Sequence, residues 1–281
     1  MKIPNYLVKI SLCICILGLL SCQNETNKTA ENSEKQAGSN DTLAIVQTEE
    51  TAFPFPLNVD ILLPTQYRKE SHGYPKGVKE KDWYEIYKDV NTGKWHIGKA
   101  ELKITYGRDE CVGEEVMIIK SQHEDAALFF TPFEGLSENP VTVLEDKMLF
   151  PEHTVSFNFN GKKYLLSPMG SCLDEKGQIM TSAELKSKTN EELDNNTKIS
   201  GYRLSFGTDE NSMELATIEN MEYATPRLVW AGDLNNDGLP DLILNLPDFY
   251  ESQHLFFFLS DKNDPEKSLK KVADLLVVND C

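Results

Sequence analysis

Cysteine, histidine and basic residues are all scarce in this chain. Its 281 residues hold six cysteines, five histidines and 28 lysines and arginines against 45 acids. Two of the cysteines, Cys13 and Cys15, lie in the apolar N-terminal run, and no Cys-x-x-Cys occurs, so the spacings exclude a zinc knuckle. The histidines, His72, His96, His123, His153 and His254, are scattered. No His-Glu-x-x-His, Gly-x-Ser-x-Gly or glycine-rich phosphate loop is present, which removes the familiar hydrolase and nucleotide signatures. The formal charge of −17 repels phosphate backbones and argues against nucleic acid as a partner. It favours divalent cations and cationic partners.

Lys2 and Lys9 precede an apolar run from Ile10 to Leu20 that is too short, and too closely followed by polar sequence, to span a bilayer. It reads as the core of a secretory signal. Leu19-Leu20-Ser21-Cys22 resembles the lipobox of bacterial lipoproteins. That resemblance implies cleavage before Cys22 and a diacylglyceryl group on its thiol, which would hold the protein on a membrane. Gln23 follows, and by the same resemblance the lack of aspartate there favours sorting to the outer membrane, with its periplasmic or surface face left open.

The expected organisation is a signal over 1–21, a lipidated cysteine and flexible linker over 22–52, and a β-rich globular domain over 53–281. The linker is dominated by Asn, Glu, Thr, Lys, Ser and Gln, which bury too little surface to offset the ordering of their backbone. With Cys13 and Cys15 removed and Cys22 lipidated, Cys111, Cys172 and Cys281 remain. Three thiols in an oxidising compartment imply one disulfide and one leftover, without choosing the pair.

Past Phe53-Pro54-Phe55-Pro56 the domain reads as mostly β with minor helix, its short antiparallel strands compatible with two packed sheets. Trp83 to Tyr87 is aromatic and β-branched. Val116–Lys120 and Leu128–Thr131 read as a hairpin joined by Ser121 to Asp125. Val155 to Phe159 alternates strictly, Asn160-Gly161 supplies two residues suited to positive φ, and Tyr164 to Leu166 returns. Residues 181–198 are the best helix candidate, with Thr181 or Ser182 as cap and Glu184 following, although an exposed loop fits them as well. Short strand-like runs follow, and the last of them, Ser268 to Val278, reads as a strand or one helical turn.

The most informative stretch is Asp233-Leu234-Asn235-Asn236-Asp237-Gly238-Leu239-Pro240-Asp241. Asp233, Asn235 and Asp237 occupy positions 1, 3 and 5 of a one-ion calcium loop, and Gly238 permits its sharp turn. Leu239 would contribute its backbone carbonyl and Asp241 a further carboxylate, directly or through water. Position 12 is Leu244 rather than a bidentate glutamate, and the flanks are strand-like, so this is no EF-hand. With Leu228-Val229-Trp230 leading in and Leu242-Ile243-Leu244 leading out, the stretch resembles the loop of FG-GAP and VCBS-type repeats, with Asn235 in place of the commoner aspartate. The resemblance covers about residues 227–246 and implies a structural Ca²⁺. One copy is too few for a propeller.

Candidate chemistry elsewhere is thin. His123-Glu124-Asp125 and Glu152-His153 read as surface turns. Trp83, Tyr84, Tyr87 and Trp95 offer either a sugar-stacking platform or core, because aromatic-rich strands bury one face. The sequence favours a lipid-anchored, calcium-stabilised module for binding or assembly, with a protein or glycan ligand. The rival is an envelope hydrolase with glycosidase-like carboxylates and the same structural calcium.

Overall fold

The computed structural model describes residues 59–278 apart from His72, 194–196 and 264–268. Cys22, the 22–52 linker, the Phe53–Pro56 opening and Cys281 therefore lie outside the described residues. The first seven strands are β1 (Ile61–Leu62), β2 (Gln66–Arg68), β3 (Tyr84–Lys88), β4 (Trp95–Lys99), β5 (Lys103–Arg108), β6 (Glu115–Lys120) and β7 (Ala126–Phe130). They form two sheets, ordered β1-β7-β3-β4 and β2-β6-β5. After β8 (Val141–Met148) come β9 (Val155–Phe159), β10 (Lys162–Leu173), β11 (Lys198–Gly207) and β12 (Ser212–Glu222), which make a third sheet, β12-β11-β10-β9. The last strands, β13 (Arg227–Asp233), β14 (Asp241–Asn245), β15 (Ser252–Ser260) and β16 (Leu269–Val278), join β8 in a five-stranded sheet, β16-β15-β14-β13-β8. The fold is mostly β, with antiparallel pairing throughout the four sheets.

The five-stranded sheet is the middle layer. Along β15, Leu255, Phe257 and Leu259 enter one core with Ile86, Leu128 and Phe130 of the first sheet and Tyr67 and Ile119 of the second. The intervening Phe256 and Phe258 enter a second core with Phe157, Tyr164, Leu204 and Phe206 of the β9–β12 sheet. In β14, Ile243 faces the first core and Leu242 and Leu244 the second. A sheet buried on both faces needs apolar residues at every position, which is why these strands read as unbroken runs instead of alternating. The packed sheets number four, with one sandwiched between the others.

The β9–β10 hairpin forms as its alternation requires. Phe157 and Phe159 are buried while Ser156 and Asn158 are exposed. Phe159 pairs with Lys162, and the two-residue turn has φ 47° at Asn160 and 77° at Gly161. The helix candidate resolves into two short helices, α1 (Ser182–Ser187) and α2 (Asn190–Leu193). Thr181 caps α1 in a reciprocal box with Glu184, and Leu185 and Leu193 plug into the second core. Ser268 itself is outside the described residues, and the segment after it is the strand β16.

One expected hairpin does not exist. β6 pairs with β2 and β5, whereas β7 pairs with β1 and β3, so the two strands belong to different sheets. Their five-residue connection, with the short spacing of a hairpin loop, carries the chain from one sheet to the other. Side-chain attachment to β3, described below, holds that crossing. Cys111 is disulfide-bonded, and Cys172 is free and buried. Among the described residues, no helix is long and apolar enough to cross a membrane.

Candidate metal centre

The loop between β13 and β14 closes a hairpin in which Gly232 pairs with Asp241. Gly232 is forced by close approach, since a Cβ there would overlap the Val141 carbonyl oxygen and the Trp230 ring. Trp230 itself is fully buried, with its indole N–H donated to Thr142 Oγ1 at 3.0 Å. The entrance to the loop is thus fixed against β8 before any polar group is considered.

Within the loop, side-chain oxygens cap successive backbone N–H groups. Asp233 Oδ1 and Asn235 Oδ1 accept from the same amide, Asp237 N, at 3.2 and 3.1 Å. Asp233 Oδ2 accepts from Gly238 N at 2.9 Å, and Asp237 Oδ1 from Leu239 N at 2.8 Å. Short polar side chains that fold back on the backbone are the reason Asp and Asn suit this curvature. Asn236 and Gly238, at φ 57° and 85°, supply the left-handed positions it needs. The oxygens of positions 1 and 3 thus meet at one backbone amide, while that of position 5 caps Leu239 N instead.

Asn235 has a second task that aspartate could not perform. Its Nδ2 donates to the Ser260 carbonyl at 3.1 Å, so its oxygen serves the loop while its nitrogen ties the loop to β15. Asp241 is completely buried. Its Oδ2 accepts from Leu234 N, and its Oδ1 accepts from both the N–H and the hydroxyl of Ser260, all at 2.7 Å. Ser260 Oγ is also 3.1 Å from Asp237 Oδ1, and Lys262 N donates to Asp237 Oδ2 at 3.1 Å. The Asp261-Lys262-Asn263 turn that echoes the loop in sequence is therefore its neighbour in space. Ser260, which no local pattern singles out, links the Asp237 and Asp241 carboxyls.

The electrostatics are unbalanced. Burial raises the Asp233 carboxyl above its ordinary value, against a hydrogen bond from Gly238, and the Asp237 charge raises it further. Burial pushes Asp241 up to about 8, against the hydrogen bonds of Ser260 and Leu234 and with Asp237 again adding to the rise. Among the described residues, no Lys, Arg or His side chain pairs with any of the three aspartates. No three acidic, histidine or cysteine side chains among those residues stand as a ready cage by themselves. The candidate donors are instead a mixed set of hard oxygens: Asp233 and Asn235, which meet at the Asp237 amide, with Asp237, the Leu239 carbonyl and Asp241. Such a set fits a hard dication, since it is all oxygen and has no cation of its own.

A second polar cluster escapes sequence reasoning. Glu85, fully buried in β3, accepts a hydrogen bond from the Ser121 hydroxyl, and its Oε1 lies 2.7 Å from His123 Nδ1. Beside a carboxylate that nitrogen is the donor. The His123 ring stacks flat on Tyr87, 3.6 Å between centroids. His123 does lie in a turn, but it answers an acid 38 residues away and not its neighbours Glu124 and Asp125. The available signal was one acid inside the aromatic strand Trp83–Tyr87, where a buried carboxylate must find a partner. Of the four aromatics, Trp83 is core with its N–H on the Val78 carbonyl, and Trp95 is half-buried and donates to Glu145. The other buried acid outside the loop region with side-chain partners, Asp109, is held by Arg68 at 3.0 Å and by Gln66.

Comparison with protein families, with curated proteins and with solved structures finds no match to this chain.

Proposed function

We propose that this is a lipid-anchored protein of the bacterial envelope whose β-rich domain is pinned by one structural Ca²⁺ at Asp233, Asn235, Asp237, Leu239 and Asp241. The observation that carries the metal assignment is the pair of contacts on one amide, Asp237 N, from the oxygens of Asp233 and Asn235, in a loop with three aspartates and no side-chain cation. When bound, calcium supplies the positive charge those carboxylates lack. The protein's own groups hold the ends of the loop. Ser260 and the Leu234 amide fix Asp241, and Asn235 ties the loop to β15.

The anchor rests on Cys22 in its lipobox-like setting, and outer-membrane sorting on Gln23. The domain serves as a binding or assembly module for a protein or glycan. Binding is favoured over carboxylate catalysis because Glu85 and Asp109 are both taken up by side-chain partners, which leaves neither poised toward a substrate. Titration calorimetry of the mature domain should give one calcium site, with a dissociation constant of about 10⁻⁴ to 10⁻³ M or somewhat tighter. The absence of binding at millimolar calcium would remove the metal assignment. Radiolabelled palmitate should enter the wild type and not Cys22→Ala, and equal labelling would remove the anchor.

A further inference from the structure

The calcium loop belongs to the middle sheet, and the β9–β10 hairpin to an outer one, yet a single peptide group joins them. The Leu239 N–H donates to Asp237 Oδ1 at 2.8 Å. The carbonyl of that same peptide, Gly238 O, accepts from Asn160 Nδ2 at the hairpin tip, also at 2.8 Å. One face of the peptide is thus held by a candidate calcium ligand and the other by the outer sheet. Leu239 and the adjoining hairpin residues Lys162, Lys163 and Tyr164 also line a cleft of about 390 Å³, closed on its far side by the β11–β12 turn.

We infer that Asn160 is a latch: loading of the calcium loop is passed through the Gly238–Leu239 peptide to the β9–β10 hairpin and so to the wall of this cleft. The inference rests on the calcium reading of the loop. Its physical basis is that a peptide plane cannot rotate at one end alone. With Asp237 fixed toward an ion, the Leu239 N–H and hence the Gly238 carbonyl hold one orientation, and Asn160 has a constant acceptor. With the loop empty, no cation holds Asp237, the plane is freer, and the hairpin loses its hold on the middle sheet.

The test is hydrogen exchange on the mature protein in millimolar calcium and in EGTA, for wild type, Asn160→Gly and Asn160→Asp. Both variants tolerate the positive φ of the turn and lack the amide donor. In the wild type, calcium should slow exchange in 233–241 and also in 160–164, the latter by about two- to tenfold, the range that one net hydrogen bond supplies. In both variants calcium should still slow 233–241 while 160–164 no longer responds. A wild type whose loop responds but whose hairpin does not would overturn the latch and leave the calcium reading intact. Variants whose hairpins respond as the wild type does would overturn it too. If neither segment responds in the wild type, the calcium reading falls first and the latch with it.

Discussion

Ser260 grips Asp241 twice: its backbone N–H and its hydroxyl both donate to the same carboxyl oxygen, each at 2.7 Å. This contact joins the end of β15 to the start of β14, inside a site where Asp241 has no access to water. Its loss cannot be made good by solvent. Ser260→Ala should therefore destabilise the domain by about 1–3 kcal/mol, the cost of stranding part of a buried acceptor. A urea titration should show a lower midpoint at an unchanged slope, and an unaltered midpoint would show that the hydroxyl is dispensable.

The crossing from β6 to β7 depends on Glu85. Removing His123 leaves a fully buried carboxyl with Ser121 as its remaining side-chain donor, whereas Glu85→Gln keeps one acceptor and turns the other oxygen into an amide donor, which a rotated Ser121 hydroxyl or the other His123 tautomer can accept. His123→Ala should accordingly cost more than Glu85→Gln, by about 1–2 kcal/mol, since unmade hydrogen bonds to buried groups are the expensive ones. Equilibrium denaturation of the two variants checks the order. The reverse ranking would mean that the stacking on Tyr87 and the Nδ1 contact matter little.

Cys172 offers a test of the core between β9–β12 and the middle sheet. Burial pushes its thiol up to about 12, so that at neutral pH it holds almost no thiolate. Iodoacetamide should leave it unmodified in the native domain and label it once the chain is unfolded in denaturant, with Cys111 staying blocked until a reductant is added. Peptide mapping by mass spectrometry reads all three states. Rapid native labelling at Cys172 would contradict the packing of that core.

Much of this architecture could be seen in the residues, and what could not has physical reasons. Val155 to Phe159 with Asn160-Gly161 announces its hairpin because both the alternation and the turn are local properties. Thr181 and Glu184 announce their helix start for the same reason. The unbroken runs Leu242–Leu244 and Leu255–Leu259 carried the sign of a sheet buried on both faces, yet a run alone does not say what covers it, so the third layer stayed hidden. β6 and β7 misled because a five-residue connection is equally consistent with a hairpin and with a change of sheet. The connection is tied to Glu85, which lies 36 residues before Ser121 and so beyond any local pattern. In the loop, positions 233, 235 and 237 were legible from spacing. Ser260 was not, since an isolated serine 19 residues beyond Asp241 carries no pattern. Asn235, standing where aspartate is commoner, has a reason of its own, the amide hydrogen it gives to the Ser260 carbonyl.

The calcium pin itself is tested most directly by thermal unfolding of the mature domain in saturating calcium and in EGTA, with Asp233→Ala beside the wild type. A ligand that binds only the folded state at a hundred times its dissociation constant stabilises it by about 2.7 kcal/mol. Wild type should therefore melt several degrees higher in calcium than in EGTA, while Asp233→Ala should melt at one temperature in both. A wild-type melting temperature indifferent to calcium would contradict the account.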